Sequence, residues 1–423
     1  MRKIILVLLI FCIVGVVILL QQNRTRAKTT VAVSVSAAPE VSAFVAKHRP
    51  GLLSVGNDHI VFLSDDDKVY GWGNNSERQL GADYLGDLPG AIDIGNPDHV
   101  LAVHTGSTAS YLITEDAQLW RRGFADVENN LTTKFGEYLP VFNGKRWRKV
   151  EEHWGLVAGI DNNGLLWAWR DADFFNGSLD EQGKRGAFTV EIKPMNVANE
   201  WRDFCVSEGN LNAIDAQGGW WRSEPSAKLD FGGNVVRPNE QSPRPASITL
   251  VNVPTQAKMR RVVCRDNANH VIALDENHKM WGYGRNRYGE LGNGDDDQFK
   301  ETSAIDPSHA TQLNQGTWID VAIGTGFTVA IARDGSLWSW GLNSTKALGL
   351  ADGLSHSKPQ LVDKTQIWSA VGAGYDFAIA MNINGELYGW GSDGHGQLSD
   401  GKIAEGRLLP TMINGPKNSK IRY

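Results

Sequence analysis

Seven aromatic residues, Tyr70, Trp120, Trp167, Trp221, Trp281, Trp338 and Tyr388, recur along the chain at intervals of 50, 47, 54, 60, 57 and 50 residues. Such a period marks a propeller or a solenoid, in which each repeat is one supersecondary unit that buries its apolar faces only against its neighbours. Four copies are close: VYGWGNNSERQLG from Val69, MWGYGRNRYGELGNG from Met280, LWSWGLNSTKALG from Leu337 and LYGWGSDGHGQLSDG from Leu387. The other three, around LWRRG, LWAWR and WWRS, keep little beyond the aromatic.

Upstream of each anchor the register runs without a gap for seventeen residues, to Leu53, Val103, Val150, Phe204, Cys264, Val321 and Val371. Four copies then place a glycine, at Gly56, Gly106, Gly324 and Gly374, and three positions further on a bulky ring recurs in four copies, at His59, His270, Phe327 and Phe377. Next comes an apolar strand with a small residue in its middle, as at Ala213, Ala273, Ala330 and Ala380. A strand apolar on both faces lies between two other sheets, the condition met by a propeller blade. Asn163-Gly164, Asp334-Gly335 and Asn384-Gly385 read as tight hairpin turns, since these need positive φ.

Each repeat therefore reads as a strand, a turn, a second strand, a tight hairpin, an aromatic strand, a Gly-rich loop and an edge strand such as PQLV from Pro359 or PTMI from Pro410. A Trp opens the next copy at Trp147, Trp201, Trp318 and Trp368. The 46 Gly and 15 Trp fit this plan: glycines turn the backbone sharply and aromatics fill the space between blades. The fold class expected is all-β, a seven-bladed β-propeller of four-stranded blades over residues 43–423.

The pattern of Trp, a Val three later, Gly, a ring, an apolar pair, Asp-Gly, Leu-Trp-x-Trp-Gly-x-Asn and a closing Gly-Gln-Leu-Gly resembles the regulator of chromosome condensation repeat family. The likeness is specific in copies one, five, six and seven, and degenerate in two to four. It implies a seven-bladed propeller that works mainly by binding other proteins. Some members promote nucleotide exchange on a small GTPase, and some secreted bacterial ones cover β-lactamases. The shared residues, such as Trp340, Gly341, Gly335 and Leu348, belong to the fold, so neither activity transfers with them.

Ahead of the repeats, Ile4 to Leu20 is an uncharged apolar run of seventeen residues, near the lower limit for a bilayer-spanning helix. No small-x-small site follows closely, which favours an uncleaved signal anchor over a cleaved signal peptide. The expected organisation is a cytoplasmic tail (1–3), a single transmembrane helix (4–21), a flexible linker (22–42) and the propeller. Flanking basic residues are nearly balanced, Arg2 and Lys3 against Arg24, Arg26 and Lys28. The basic pair ahead of the apolar run favours export, placing the propeller on the extracytoplasmic side.

Cys205 and Cys264 fall in neighbouring repeats one position out of phase, on opposite faces of their strands. Two buried thiols are expected rather than a bridge. The ten His are scattered, and His59 and His270 stand where other copies have Phe, so packing is expected of them. Asp65 to Asp67 and Asp295 to Asp297 lack the alternation and glycine of a calcium loop. No catalytic residue, metal or cofactor is expected. Setting aside the five basic residues before position 29 leaves 37 basic against 48 acidic, a net charge of −11, which disfavours a nucleic acid partner.

Surface remains. The turns after the first strand lie outside the apolar register, with Asn57, Asp58, Ser107, Thr108, Trp154, Glu208, Asn269, Tyr375 and Asp376. They would form one rim of a monomeric ring, a partner-binding surface in which Trp154 and Tyr375 are large enough to anchor a protein. Trp154 reads equally as a cover for its neighbouring blade. The Gly-rich loops near Asn75, Asn286, Asn343 and Asp393 are expected on the opposite rim. The expected function is that of a membrane-anchored, non-catalytic, protein-binding scaffold. The competing readings are a propeller with a polar pocket on the axis for a carbohydrate or envelope ligand, and a cytosolic GTPase regulator.

Overall fold

The computed structural model describes residues 51–81, 86–123, 138–141, 144–153, 156–170, 190–192, 200–207, 210–223, 250–265, 268, 270–294, 310–399, 401–413 and 415–416. The expected transmembrane segment and linker lie outside the described residues, as do Asp295 to Asp297.

Seven four-stranded sheets follow one another along the chain, each an antiparallel meander of consecutive strands. They span residues 53–93, 100–141, 147–192, 201–253, 259–312, 318–363 and 368–412, and are numbered blades 1 to 7 in that order. Since every blade is one contiguous segment, the ring closes by contact between blades 7 and 1 rather than by a shared sheet.

The second strands His59–Leu63, Ala109–Thr114, Leu156–Asp161, His270–Asp275 and Phe377–Asn382 are buried at every residue. Both faces are covered because apolar side chains cluster at each seam between blades. Leu156, Ala158 and Ile160 of blade 3 pack on Phe204, Val206 and Leu211 of blade 4. Ile60, Phe62 and Trp72 of blade 1 pack on Phe377, Ile379 and Leu387 of blade 7. The small residue in the second strand has its reason in the register: Ala213 lies opposite Trp221, Ala273 opposite Trp281, Ala330 opposite Trp338 and Ala380 opposite Tyr388. A large side chain there would compete with the anchor for the same space.

The anchors themselves tie the hairpins down. Trp167, Trp221 and Trp281 each donate an indole N–H to an aspartate six residues earlier, at 2.8, 2.8 and 3.0 Å. The other oxygen of that carboxylate accepts backbone N–H groups of the turn between them. Gly164, Gly335 and Gly385 adopt the expected positive φ, at 79°, 83° and 74°.

Blade 5 departs from the gap-free register. Val262, not Cys264, pairs with Ala273 as Phe204 pairs with Ala213. Its first turn is two residues longer, and Arg265 enters the turn where blades 1, 2, 6 and 7 have glycine.

The cysteine expectation is also corrected, for Cys205 and Cys264 form a disulfide with Cα atoms 5.6 Å apart. They do stand on opposite faces of their sheets, but neighbouring blades stack face to face. The face of blade 4 that looks toward blade 5 meets the opposite face of blade 5, so an odd offset brings the two sulfurs together.

Candidate partner-binding rim

In a four-stranded antiparallel meander the turn after the first strand and the loop after the third lie at the same end of the sheet. The Gly-rich loops therefore share the rim with the first turns instead of forming the opposite one, which corrects the sequence expectation. Backbone hydrogen bonds join the two: Asn74 N–H donates to Asp58 O at 2.8 Å, Leu342 N–H to Gly326 O at 2.8 Å, and Ser392 N–H to Asp376 O at 3.0 Å.

Repeated side chains make these loops rigid. Asn75, Asn286, Asn343 and Asp393 each accept, through Oδ1, the N–H of the leucine five residues later, at 2.9, 2.9, 2.9 and 2.8 Å. The second aromatic of the motif then latches one blade to the loop of the preceding blade. Trp340 donates to Glu290 O at 2.9 Å, Trp390 to Ala347 O at 2.8 Å, and Trp72 to Gln397 O at 2.9 Å. The last of these latches closes the ring.

Of the rim residues singled out in the sequence, Asn57, Asp58, Ser107, Thr108, Tyr375 and Asp376 are described, whereas Trp154, Glu208 and Asn269 lie outside the described residues. Asn57 is a connector more than a contact surface, with 6% exposure. Its Nδ2 donates to Tyr375 Oη at 2.9 Å and to Ser107 Oγ at 3.2 Å. Its Oδ1 accepts from Arg265 at 3.2 Å, and its carbonyl accepts the Tyr375 N–H at 3.1 Å. Arg265 reaches across the axis from blade 5 to donate to Ala373 O and to Val55 O, and its guanidinium lies 5.9 Å from the Tyr375 ring centre. Blades 5, 7 and 1 are thus tied over the axis at this rim. Sequence reading missed Arg265 because it sits in the insertion of one blade, where the repeat carries no information. Ser107 and Thr108 N–H donate to Glu152 of blade 3 at 2.7 and 3.2 Å.

Asp58 and Asp376 form the acidic part of the rim, beside the seam between blades 1 and 7. Burial raises the Asp58 carboxyl above the ordinary carboxylate range, the His395 charge pulls the other way, and Asp376 adds to the rise. Burial likewise raises Asp376, against a hydrogen bond from Ser392 and the charge of His395. His395 Nδ1 stands 3.1 Å from both carboxylate oxygens of Asp87. Asp65, Asp66 and Asp67 belong to a hairpin turn, and among the described residues no His, Cys, Asp and Glu group is arranged to hold a metal ion. His59 and His270 are 1% exposed, in the packing role expected of them.

Comparison with known proteins agrees with the repeat pattern. Models of the regulator of chromosome condensation (RCC1) repeat match residues 52–79, 277–331, 318–345, 334–381 and 368–397. The ultraviolet-B receptor UVR8 of Arabidopsis thaliana is 29% identical over 89% of this chain and 84% of its own length. The regulator of chromosome condensation of Mus musculus is 23% identical over 86% and 80%. E3 ubiquitin-protein ligase HERC2 of Mus musculus is 22% identical over 90% of this chain. The chain spans only 8% of the mouse HERC2 length and 7% of the human. Among solved structures, Prp20p from Saccharomyces cerevisiae superposes with a TM-score of 0.64 at 16% identity, covering 89% of each chain. Human WBSCR16 gives 0.59 at 13% identity, covering 78% of this chain and 86% of its own. The chain is a seven-bladed β-propeller in which the regulator of chromosome condensation repeat is matched over residues 52–79 and 277–397, in the first blade and the last three.

Proposed function

We propose that this chain is a non-catalytic scaffold that binds a protein partner through the rim bearing Asp58, Tyr375 and Asp376, and that Ile4 to Leu20 holds it on the extracytoplasmic face of a membrane. The observation that carries the binding reading is the state of the two carboxylates. Asp58 and Asp376 are half-buried with raised pKa, beside the half-buried ring of Tyr375. Folding alone gains nothing from desolvating two like charges. A partner presenting Lys or Arg would compensate them, with Tyr375 as the aromatic contact. Protein binding is in keeping with this architecture: the solved structure of Prp20p was described with its binding properties to Gsp1p and histones.

The apolar run of residues 4 to 20 supports the anchor. The Cys205–Cys264 bridge supports the extracytoplasmic side, since disulfides persist in oxidising compartments. The test is capture of partners from a membrane extract by the detergent-solubilised full chain, beside the Asp58→Lys/Asp376→Lys variant. A protein held by the wild type and lost by the variant is the expected result. Recovery of glycan without protein would overturn the reading in favour of an envelope ligand. Guanine-nucleotide exchange on a captured GTPase, with the propeller protected from external protease, would overturn the compartment.

A further inference from the structure

At the end of the ring opposite to that rim, the inner strands begin around a cavity of about 510 Å³, to which blades 1 to 6 all contribute. Its wall is uneven. Blades 3, 4 and 5 supply consecutive pairs, Arg148 with Lys149, Arg202 with Asp203, and Arg260 with Arg261, while blades 1, 2 and 6 present Leu53, Ala102 and Ile319. The first residue of each pair lies at a bulge where the register between the first and second strands shifts. A bulge re-aims a side chain, and the three arginines form one tier.

The second tier closes its own charges. Lys149 Nζ lies 2.8 Å from Glu151 and 2.6 Å from Asp203, and Arg261 pairs with Asp320. The arginine tier does not. Arg148 donates to Asp161 O and Trp201 O at 3.1 and 2.9 Å, Arg202 to Met259 O and Ala216 O at 3.2 and 3.1 Å, and Arg260 to Trp318 O and Ile319 O at 3.3 and 3.1 Å. Among the described residues only Arg202 has a carboxylate, the exposed Glu276 at 3.1 Å. Arg148 and Arg260 make no ion pair among the described residues. Among the described residues, Arg260 Nε and His104 Nε2 are buried without a hydrogen-bond partner. Burial, and then the neighbouring Arg261 charge, lowers the Arg260 pKa, and burial keeps His104 neutral with its pKa down at about 3.

We propose that this axial cavity binds a small multivalent oxyanion, a phosphate or carboxylate compound, through the outward N–H groups of Arg148, Arg202 and Arg260. A guanidinium carries five donors in one plane, and carbonyl bonds occupy only part of each fork here. The remaining donors suit the oxygens of a phosphate or carboxylate in paired bonds. The cavity is of the size that encloses a small organic ligand. The net negative charge of the whole chain does not oppose this, because charges beyond a Debye length of about 8 Å are screened at physiological salt. The site lies at the other end of the ring from the protein-binding rim, so either can fail without the other.

Calorimetric titration of the detergent-solubilised full chain with tripolyphosphate and, separately, citrate, in about 0.15 M chloride, tests the site and tells phosphate from carboxylate. Saturable one-to-one binding of at least one probe is expected, with Arg148→Gln/Arg260→Gln weakening it about tenfold or more and Arg285→Gln, on the opposite rim, leaving it unchanged. Because these arginines also hold carbonyls, Arg148→Lys/Arg260→Lys serves if the Gln pair fails to fold. It keeps both charges but not the forks, and a loss of about threefold or more is expected. No saturation with either probe up to about 10 mM, or wild-type affinity in the substituted chain, would overturn the site.

Discussion

The guanidinium of Arg265, in blade 5, donates to Oδ1 of Asn57, in blade 1, at 3.2 Å across the axis of the ring. Its Nη1 donates to carbonyls of blades 1 and 7, Val55 O and Ala373 O. Arg265→Ala would leave these buried acceptors without a donor, so a loss of about 3 kcal/mol in unfolding free energy is expected from urea titration. A loss below about 1 kcal/mol would mean that water replaces the guanidinium and that the axis is not tied there.

The Cys205–Cys264 bridge closes a separation of 59 residues. The chain-entropy treatment of such a loop gives about 4 kcal/mol. Cys205→Ala, Cys264→Ala and the double substitution should all melt alike, because each removes the same bond, and reductant should shift only the wild type. Additive losses would show that the two sulfurs act separately.

Much of this fold is legible in sequence because its devices are local. The spacing from Asn75 to Leu80, or from Asp161 to Trp167, lies within one repeat, so the same residues recur at the same offset wherever the device is used. What escaped is what passes between repeats. The disulfide depends on which faces of two sheets meet, and single-strand periodicity is silent on that. The turn of Arg265 differs from its counterparts by an insertion, which the repeat cannot forecast. Asn57 looked like surface for lacking an apolar register, yet Tyr375, Ser107 and Arg265 bury it by hydrogen bonding.

Burial lowers both His59 and His104 to a pKa of about 3. The unfolded chain takes up protons at these groups near pH 6.5, and the folded chain does not until about pH 3. Stability should therefore fall between these values on acidification, by at most about 1.4 kcal/mol per pH unit for each group. His59→Phe installs the ring that blades 6 and 7 carry at the equivalent place. It should make the slope shallower by the His59 share when denaturant midpoints are measured from pH 7 to pH 4. An unchanged slope would assign the acid sensitivity to other groups.

Trp340 is fully buried at the seam between blades 5 and 6, with its indole bonded to Glu290 O. Trp340→Ala should cost roughly 3 to 5 kcal/mol through the cavity it leaves. Tyr375→Phe removes only the hydroxyl that accepts from Asn57, and about 1 kcal/mol is expected. Thermal melts of the two variants in parallel check the order. Equal losses would mean that Tyr375 is as much a part of the core as Trp340.

Asp58 should show opposite signs in stability and in binding. Burial raises its folded pKa, so folding favours the neutral form. Its contribution is most favourable below the unfolded pKa and is lost as pH climbs through the folded value. At pH 7 Asp58→Asn keeps the shape and removes the desolvated charge, and a melting temperature higher by up to about 2 °C is expected, given solvent screening at a half-buried site. That gain should vanish near the unfolded carboxylate pKa of about 4, where the wild type is also protonated. If the partner compensates this carboxylate with Lys or Arg, the same substitution should weaken binding about tenfold or more. Melts at both pH values and titration with the captured partner decide it: a variant that is more stable and binds as tightly as wild type would leave Asp58 out of the interface.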